Sequence, residues 1–224
     1  MPASPFLLPI MSFAHSLPEP KWRRLPEERP HQIIDAAVAV FGENGLAGAR
    51  LEDVAKRAGV SKGTIYLYFP NKEALFAEMI RSTIVAQILR DEENLDHAAG
   101  TATEEVNAYI DRWFAFMRSP TMQTIHRLII GELHRFPELI RFYADEVVTR
   151  KMHLVDRLIR RGVETGEFRE VDPETTGRIL GAIISSFCLW CGLREHMPTL
   201  LQVTDEKLIS DVREFFFHAI RPAP

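Results

Sequence analysis

The chain has 224 residues, of which 46% are hydrophobic and 26% charged, and its formal net charge is −4. This composition is typical of a folded globular protein and excludes a disordered or fibrous one. No apolar run approaches the roughly 18 residues that a membrane-spanning helix requires, so we expect no membrane segment. Two cysteines, Cys188 and Cys191, are too few for a disulfide scaffold, and they favour the reducing cytoplasm as the compartment.

The first 27 residues are predicted to form a flexible extension. Residues 1–20 are apolar in places, but they lack a basic region at the start and contain five prolines, so they do not resemble a signal peptide. Met11 is an alternative start of translation. An apolar stripe follows, formed by Ile34, Ala37, Val38 and Phe41. It predicts a helix from about Glu28 to Glu43 that ends at Asn44-Gly45.

Residues 51–69 predict two short helices joined by a tight turn. The first helix has an apolar stripe at i, i+3, i+4 and i+7, formed by Leu51, Val54, Ala55 and Ala58. Gly59 suits a left-handed helix end, and Ser61 suits the N-cap of the second helix. Ile65 and Phe69 give that second helix its inward side.

The outward side of the second short helix has an unusual composition for a helix that only packs. It is crowded with Lys62, Gly63, Thr64, Tyr66, Leu67 and Tyr68. Gly63 weakens the first turn but lets the backbone approach another surface closely. The alternative is that Tyr66 and Tyr68 are ordinary half-buried aromatics.

Residues 29–81 resemble the DNA-binding head of the TetR family of bacterial transcriptional regulators. The resemblance is carried by ERPHQIIDAAVAVFGENG, LEDVAKRAGVSKGTIYLYF and the downstream NKEAL. It implies a helix-turn-helix DNA-binding domain over residues 28–75 and an effector-binding and dimerisation domain over residues 76–224. The DNA-binding residues that it implies are Arg50, Ser61, Lys62, Gly63, Thr64, Tyr66, Tyr68 and Lys72. Residues 21–24, which include three basic side chains, either lie along the DNA or form a solvated leader.

One departure from the family is visible just before the first helix of the pair. The family usually places Thr or Ser there as a cap and phosphate contact, whereas this chain has Ala49 and Arg50. Arg50 can reach a phosphate directly, but arginine is not one of the residue types that cap a helix N-terminus.

The remaining sequence predicts six more helices and no strand, so the fold class is all-α with nine helices. Asn71 is expected to cap the fourth helix, and Asp91 to Thr101 is predicted to be a loop. The predicted ranges are Lys72 to about Arg90, Thr103 to Arg118, Thr121 to Arg135, Glu138 to Thr165, Pro173 to about His196, and Asp205 to Ile220.

The eighth predicted helix, which includes TTGRILGAIISSFCLWCGL, is apolar nearly all round and must be buried on more than one side. We therefore expect a homodimer in which helices 173–196 and 205–220 of both subunits form a four-helix bundle. Gly181, Ala182 and Ser185 are expected to allow close approach of the helices.

The family resemblance implies a mostly apolar effector pocket in the body. Its predicted lining is Trp113, Phe116, Met117, Ile130, His134, Phe142, Phe187 and Trp190. Each of these could instead be plain core. Their aromatic and Met content favours a hydrophobic effector over a sugar or phosphate.

No catalytic motif is recognisable in the sequence, so no enzyme activity and no cofactor are expected. Cys188 and Cys191 have C-x-x-C spacing, and His126 and His134 lie eight residues apart. Buried thiols and no metal are the favoured interpretation. The sequence thus predicts a dimeric repressor that a small hydrophobic ligand releases from operator DNA. There are two alternatives: a metal or thiol-redox sensor on the same fold, and a helical enzyme with a vestigial head.

Overall fold

The computed structural model describes residues 28–193 and 202–222. The predicted extension 1–27, its basic residues and the predicted end of the eighth helix near His196 lie outside the described residues. Within the described ranges the chain forms nine helices. They are α1 Glu28–Gly48, α2 Leu51–Arg57, α3 Lys62–Tyr68, α4 from Lys72 to Asp96, α5 Ala102–Met117, α6 Pro120–Glu132, α7 from Pro137 to Glu164, α8 Pro173–Leu193 and α9 Asp205–Ile220.

Two of these helices contain a π-helical turn. In α4 the turn is Arg81–Val85, between the α-helical stretches Lys72–Ile80 and Ala86–Asp96. In α7 it is Ala144–Thr149, between Pro137–Tyr143 and Arg150–Glu164. The two π-helical turns pack against each other. Such turns are rare and are frequently found at functional sites.

Local signals in the sequence set the helix ends of the head. Gly59 has φ 67°, the left-handed conformation that a glycine adopts without strain. The Ser61 hydroxyl accepts a hydrogen bond from the backbone N–H of Thr64 at 3.0 Å. The Asn71 side chain accepts one from the N–H of Ala74 at 2.7 Å and so begins α4. These three predictions are confirmed.

Helices α1, α2 and α3 pack with the start of α4 around one apolar core. Phe41, Val54 and Ile65 are fully buried in it, and the rings of Phe41 and Phe76 meet edge to face with centroids 5.9 Å apart. Because α4 completes this core and continues into the body, it connects the two parts of the chain as one continuous helical segment.

The body consists of α4 to α9. Helix α8 packs against α5, α6 and α7, while α9 packs against α5. Helix α6 also packs against α1 of the head, and a Cβ atom at Gly42 would lie only 2.8 Å from Cγ2 of Thr124. The head and body therefore have a second contact besides α4. None of the helices in the described ranges is long and apolar enough to cross a bilayer.

Helix α1 is interrupted at Gly45 (φ 69°), where the sequence predicts its end, and a further helical turn continues to Gly48. Two predicted helix boundaries were wrong. Helix α4 extends to Asp96, beyond the predicted end at Arg90, because buried Asp91 pairs with Arg112 of α5 at 2.5 Å and keeps the chain helical. Helix α6 ends at Glu132, and a 3-10 turn, Leu133–Arg135, replaces its predicted last turn.

Candidate nucleic-acid interface and effector site

Helix α3 is a short rod with one buried side. Ile65 is fully buried under it, whereas Tyr66 is 43% and Leu67 68% exposed. Lys62 and Gly63 are exposed as well, and a Cβ atom at Gly63 would meet only the Ser61 hydroxyl, at 3.8 Å. The outer side of α3 is therefore open to a large partner.

Two of the predicted DNA contacts are held by one carboxylate in this structure. Glu52 of α2 pairs with the Lys62 ammonium at 2.7 Å and accepts a hydrogen bond from the Tyr66 hydroxyl at 3.1 Å. The Lys62 ammonium also lies 5.7 Å from the centroid of the Tyr66 ring. The hydrogen bond from Lys62 lowers the pKa of Glu52 to about 2, so the carboxylate is ionised at neutral pH. The local sequence pattern did not reveal this network.

The other predicted DNA-binding residues differ in whether their side chains are free to contact DNA. Arg50 is exposed. Its side chain makes no capping hydrogen bond at the start of α2, as expected for an arginine at this position. Ser61 is occupied by its capping bond. Tyr68 is half-buried against the head core, which corresponds to the alternative interpretation of this residue.

Lys72 has an internal role that the sequence did not reveal. Its ammonium donates hydrogen bonds to the carbonyl oxygens of Ala47, at 2.5 Å, and Ala49, at 3.3 Å. It thereby ties the start of α4 to the end of α1. A phosphate contact by Lys72 would have to share the ammonium with these carbonyls.

The eight predicted pocket residues divide into two groups. Trp113, Met117, Phe142 and Phe187 are buried, and Phe116 is half-buried beside Trp113 with ring centroids 5.5 Å apart. Three predictions were wrong, because Ile130, His134 and Trp190 point outward. Ile130 is 61% exposed, since its neighbour Ile129 occupies the inward position on α6. The Trp190 indole donates to Ser186 on the exposed side of α8.

A cleft of about 220 Å³ opens between the π-helical turn of α4, the end of α5 and the start of α6. Its walls include Ser82, Thr83, Arg90, Phe116, Met122 and Ile125. This volume lies below the roughly 300–1,000 Å³ that ligand pockets usually occupy. A ligand of ordinary size would therefore have to separate α4 from α6.

Next to this cleft the body contains a buried polar cluster. Asp91 pairs with Arg112 at 2.5 Å and accepts a hydrogen bond from Gln87 at 3.3 Å. His126 is buried and shares a hydrogen bond with the Ser185 hydroxyl at 3.1 Å. Ser185 therefore faces α6 instead of serving close helix approach at a dimer interface. Burial and the nearby Lys151 ammonium lower the pKa of His126, so its neutral form is favoured.

Lys151 belongs to the same cluster and was missed at the sequence level. Its ammonium lies 3.9 Å from the ring centroid of Trp113, and burial lowers its pKa to about 8. A signal was available, because Lys151 is four residues from both Val147 and Val155, on the apolar stripe of α7. A cation within such a stripe needs a reason to be there.

The two thiols differ in burial, since Cys188 lies inside the body and Cys191 is half-buried. Cys188 is buried, its thiol contacts the carbonyl oxygen of Met117 at 3.5 Å, and burial raises its pKa to about 12. A thiol of this kind is protonated and unreactive at neutral pH. In the parts of the chain that the structure describes, no three His, Cys, Asp or Glu side chains are grouped so that they could hold a metal ion.

Helices α8 and α9 expose apolar side chains. They include Ile179, Leu189 and Trp190 of α8 and Phe215 of α9, which is 68% exposed. Ala182 is exposed on α8 too. Isolated apolar residues on a surface are ordinary, but several on two consecutive helices are typical of an interface.

A helix-turn-helix head joined through a long helix to an all-helical body defines a class of DNA-binding transcriptional regulators. Residues 33–79 match the family described as "Bacterial regulatory proteins, tetR family", and residues 104–219 match "AefR-like transcriptional repressor, C-terminal domain". The chain belongs to the TetR family of transcriptional regulators. It is a DNA-binding regulator and not an enzyme.

Relatives with similar sequence and structure support this placement. The chain is 33% identical over 173 residues to the fatty acid metabolism regulator protein of Bacillus subtilis, covering 74% of this chain and 86% of the relative. It is similar to the crystal structure of FadR from Bacillus subtilis in complex with stearoyl-CoA, with 25% identity, a TM-score of 0.66, and 85% and 99% of the two chains covered. A regulator from Pseudomonas aeruginosa PAO1, at 22% identity and a TM-score of 0.74 with 88% and 92% covered, shares the fold.

Proposed function

We propose that this regulator is a homodimeric repressor that binds operator DNA through α3 and is released by an apolar ligand with an acyl chain. Lys62, Thr64 and Tyr66 would meet base edges or the adjacent backbone, and Arg50 would contact phosphates. Phosphate contacts position a protein on DNA, whereas base contacts specify the sequence. Such a repressor acts in the cytoplasm.

The observation that carries the DNA-binding part of the proposal is the orientation of α3. Its one buried side is fixed by Ile65, and the side with Lys62, Gly63 and Tyr66 is exposed. A helix of this kind enters the major groove with its N-terminal residues toward the bases. Lys72 is expected to contribute less than the sequence suggested, because its ammonium already binds two carbonyl groups.

Dimerisation is supported by the exposed apolar side chains of α8 and α9. Burying Leu189, Trp190 and Phe215 against a second copy would remove them from water. A two-fold dimer would also present two heads to successive major grooves, about 34–36 Å apart.

An acyl ligand is supported by the walls of the cleft and by the relatives. Phe116, Met122 and Ile125 give the cleft an apolar lining on the side of α5 and α6. One relative from Bacillus subtilis is a fatty acid metabolism regulator protein, and FadR from the same organism has a crystal structure in complex with stearoyl-CoA.

Release would follow from the position of the cleft. Ser82 and Thr83 belong to the π-helical turn of α4, and α4 leads directly into the head. A ligand that separates α4 from α6 favours a conformer in which the two heads are spaced wrongly for the operator. The coupling of 1–3 kcal/mol that is typical of allosteric proteins weakens operator affinity by about 5- to 150-fold.

The proposal is tested with Lys62→Ala and Tyr66→Ala and DNA from the promoter region of the protein's own gene. Each variant should bind more weakly, and Lys62→Ala should reduce the slope of log affinity against log salt concentration by about one if it contacts a phosphate. Arg157→Ala, in an exposed ion pair on α7, is the control. Unchanged operator affinity in both head variants would refute the assigned roles.

A further inference from the structure

Three hydrogen-bond donors lie close together in the body, two of them fully buried and the third on the half-buried residue Lys151. The Tyr109 hydroxyl and the Trp113 indole N–H are fully buried and have no hydrogen-bond partner among the described residues. Their rings lie on successive turns of α5 with centroids 6.0 Å apart. The Lys151 ammonium is 3.9 Å from the Trp113 ring centroid, and in the described parts of the chain it forms no ion pair. Buried donors without acceptors are costly and need an explanation.

The charges around these donors are unbalanced. Asp91 is the carboxylate that acts on Lys151, but it is already paired with Arg112 at 2.5 Å. His126, which also faces Lys151, favours its neutral form. The cluster therefore holds two cations and one anion, and a second anion would balance it.

The cluster adjoins the cleft through two shared walls. Phe116, which lines the cleft, touches the Trp113 ring edge to face. Arg90, on another wall, donates to Gln87, which in turn donates to Asp91. A ligand whose apolar part occupies the cleft can thus place its end group among the buried donors.

We propose that Lys151, Tyr109 and Trp113 form the anion-binding end of the effector site, and that the effector is an apolar molecule with a carboxylate. This inference rests on the proposed function only for the existence of an apolar effector. A single carboxylate matches the single excess cation and accepts several hydrogen bonds. A thioester, as in an acyl-CoA, offers a carbonyl oxygen but no charge at this position.

Calorimetric titration of the full-length protein without DNA tests the proposal. The probes are carboxylic acids paired with alcohols of the same apolar skeleton: stearic acid with octadecanol, lauric acid with dodecanol, and naphthoic acid with naphthalenemethanol. Stearoyl-CoA is the thioester probe. In at least one pair the acid should bind at least tenfold more tightly than its alcohol. Stearic acid should also bind to this site more tightly than stearoyl-CoA.

Variants assign the effect to the site. Lys151→Met should weaken acid binding at least tenfold and leave alcohol binding unchanged, while Lys151→Arg should retain most of the preference for the acid. Tyr109→Phe should weaken acid binding several-fold without lowering stability, since its hydroxyl has no partner in the protein to lose. Arg157→Met, on the exposed side of α7, removes an equal charge and should change nothing.

The proposal is overturned if no acid in any pair binds more tightly than its alcohol, or if the preference for the acid survives in Lys151→Met. Binding of stearoyl-CoA that exceeds stearic acid and is insensitive to Lys151→Met also overturns it. Operator affinity is measured separately. An acid that binds with dependence on Lys151 but leaves operator affinity unchanged supports the site and refutes release by the ligand.

Discussion

The carboxylate of Glu132 accepts a hydrogen bond from the backbone N–H of Ala47 at 2.9 Å, across the boundary between body and head. It accepts a second from the N–H of Leu46 at 3.2 Å. Both N–H groups follow Gly45, whose φ of 69° interrupts α1. A Cβ atom at Gly45 would lie 2.4 Å from Oε1 of Glu132, so both the conformation and the space there require glycine. Helix α6, which lines the cleft, is thus bound directly to the head.

Glu132→Gln should loosen this contact. The amide loses the charge that strengthens the two hydrogen bonds, and only one of its atoms can accept. We expect a loss of about 1–2 kcal/mol in the free energy of unfolding and faster hydrogen exchange at the Leu46 and Ala47 amides. Glu138→Gln, in an exposed pair with Arg141, is the control. Unchanged exchange at both amides would show that the contact contributes nothing to the coupling of head and body.

Glu52→Gln should strengthen DNA binding. The carboxylate competes with DNA for Lys62 and Tyr66, and its charge repels phosphates. Because its pKa is lowered to about 2, it remains ionised throughout the range from pH 5 to 8 and holds Lys62 there. We expect several-fold tighter binding to operator and unrelated DNA, with the larger gain at low salt. Glu43→Gln, which removes an exposed partner of Arg57, is the matched control. Weaker binding by Glu52→Gln would mean that Glu52 orients Lys62 and Tyr66 for the operator.

The sequence predicted those parts of the fold that depend on neighbouring residues. Gly59, Ser61 and Asn71 act within a few residues of their own position, and each does what its residue type suggested. Lys72 and Glu52 instead bind groups 25 and 14 residues away, respectively, at Ala47 and Tyr66. No local pattern encodes such pairings.

The predicted pocket shows the same limit. Helices α6 and α8 are apolar on more than one side, so periodicity alone could not decide which apolar residues point inward. Ile130 and Trp190 were therefore placed in the body interior although both are exposed. The inward position of Lys151 could have been predicted from the sequence, since this lysine is the cation on an otherwise apolar stripe of α7.

Phe215→Asp should dissociate the proposed dimer. The Phe215 side chain is 68% exposed in the single chain, so a charge there is tolerated by the monomer fold but costly in an apolar interface. Sedimentation at micromolar concentration should show a dimer for the native chain and a monomer for the variant, with operator affinity strongly reduced. Leu89→Asp, at a residue 48% exposed on α4, should leave the dimer intact. A native chain that sediments as a monomer would refute the proposed assembly.

The two thiols should differ in reactivity. Burial raises the pKa of Cys188 to about 12, so its thiolate is scarce at pH 8, and its side chain is 1% exposed. Cys191 is half-buried. Alkylation followed by mass spectrometry should label Cys191 first, and peroxide should not change operator binding by Cys191→Ser. Rapid labelling of Cys188, or loss of operator binding by that variant in peroxide, would revive thiol sensing.

Lys151→Met should stabilise the protein without ligand. The pKa of Lys151 is lowered from 10.5 to about 8 by burial, so the folded state disfavours the charged form. This penalty is fully present below about pH 8, shrinks as the pH rises from 8 to 10.5, and is absent above that range. At pH 7 the variant should gain up to about 3 kcal/mol in the free energy of unfolding, less whatever the contact with Trp113 contributes.

Urea unfolding at several pH values measures this gain. The difference between Lys151→Met and the native chain should narrow steadily between pH 8 and 10.5, whereas Lys151→Arg should show no such narrowing, because arginine stays charged. Asp91 and His126 are the titratable groups that interact electrostatically with Lys151. A variant that is less stable than the native chain at pH 7 would make Lys151 a structural residue whose contact with Trp113 outweighs its burial. If replacing Lys151 by Met stabilises the protein, the Lys151 charge is unfavourable in the ligand-free fold and is available to bind an anionic ligand.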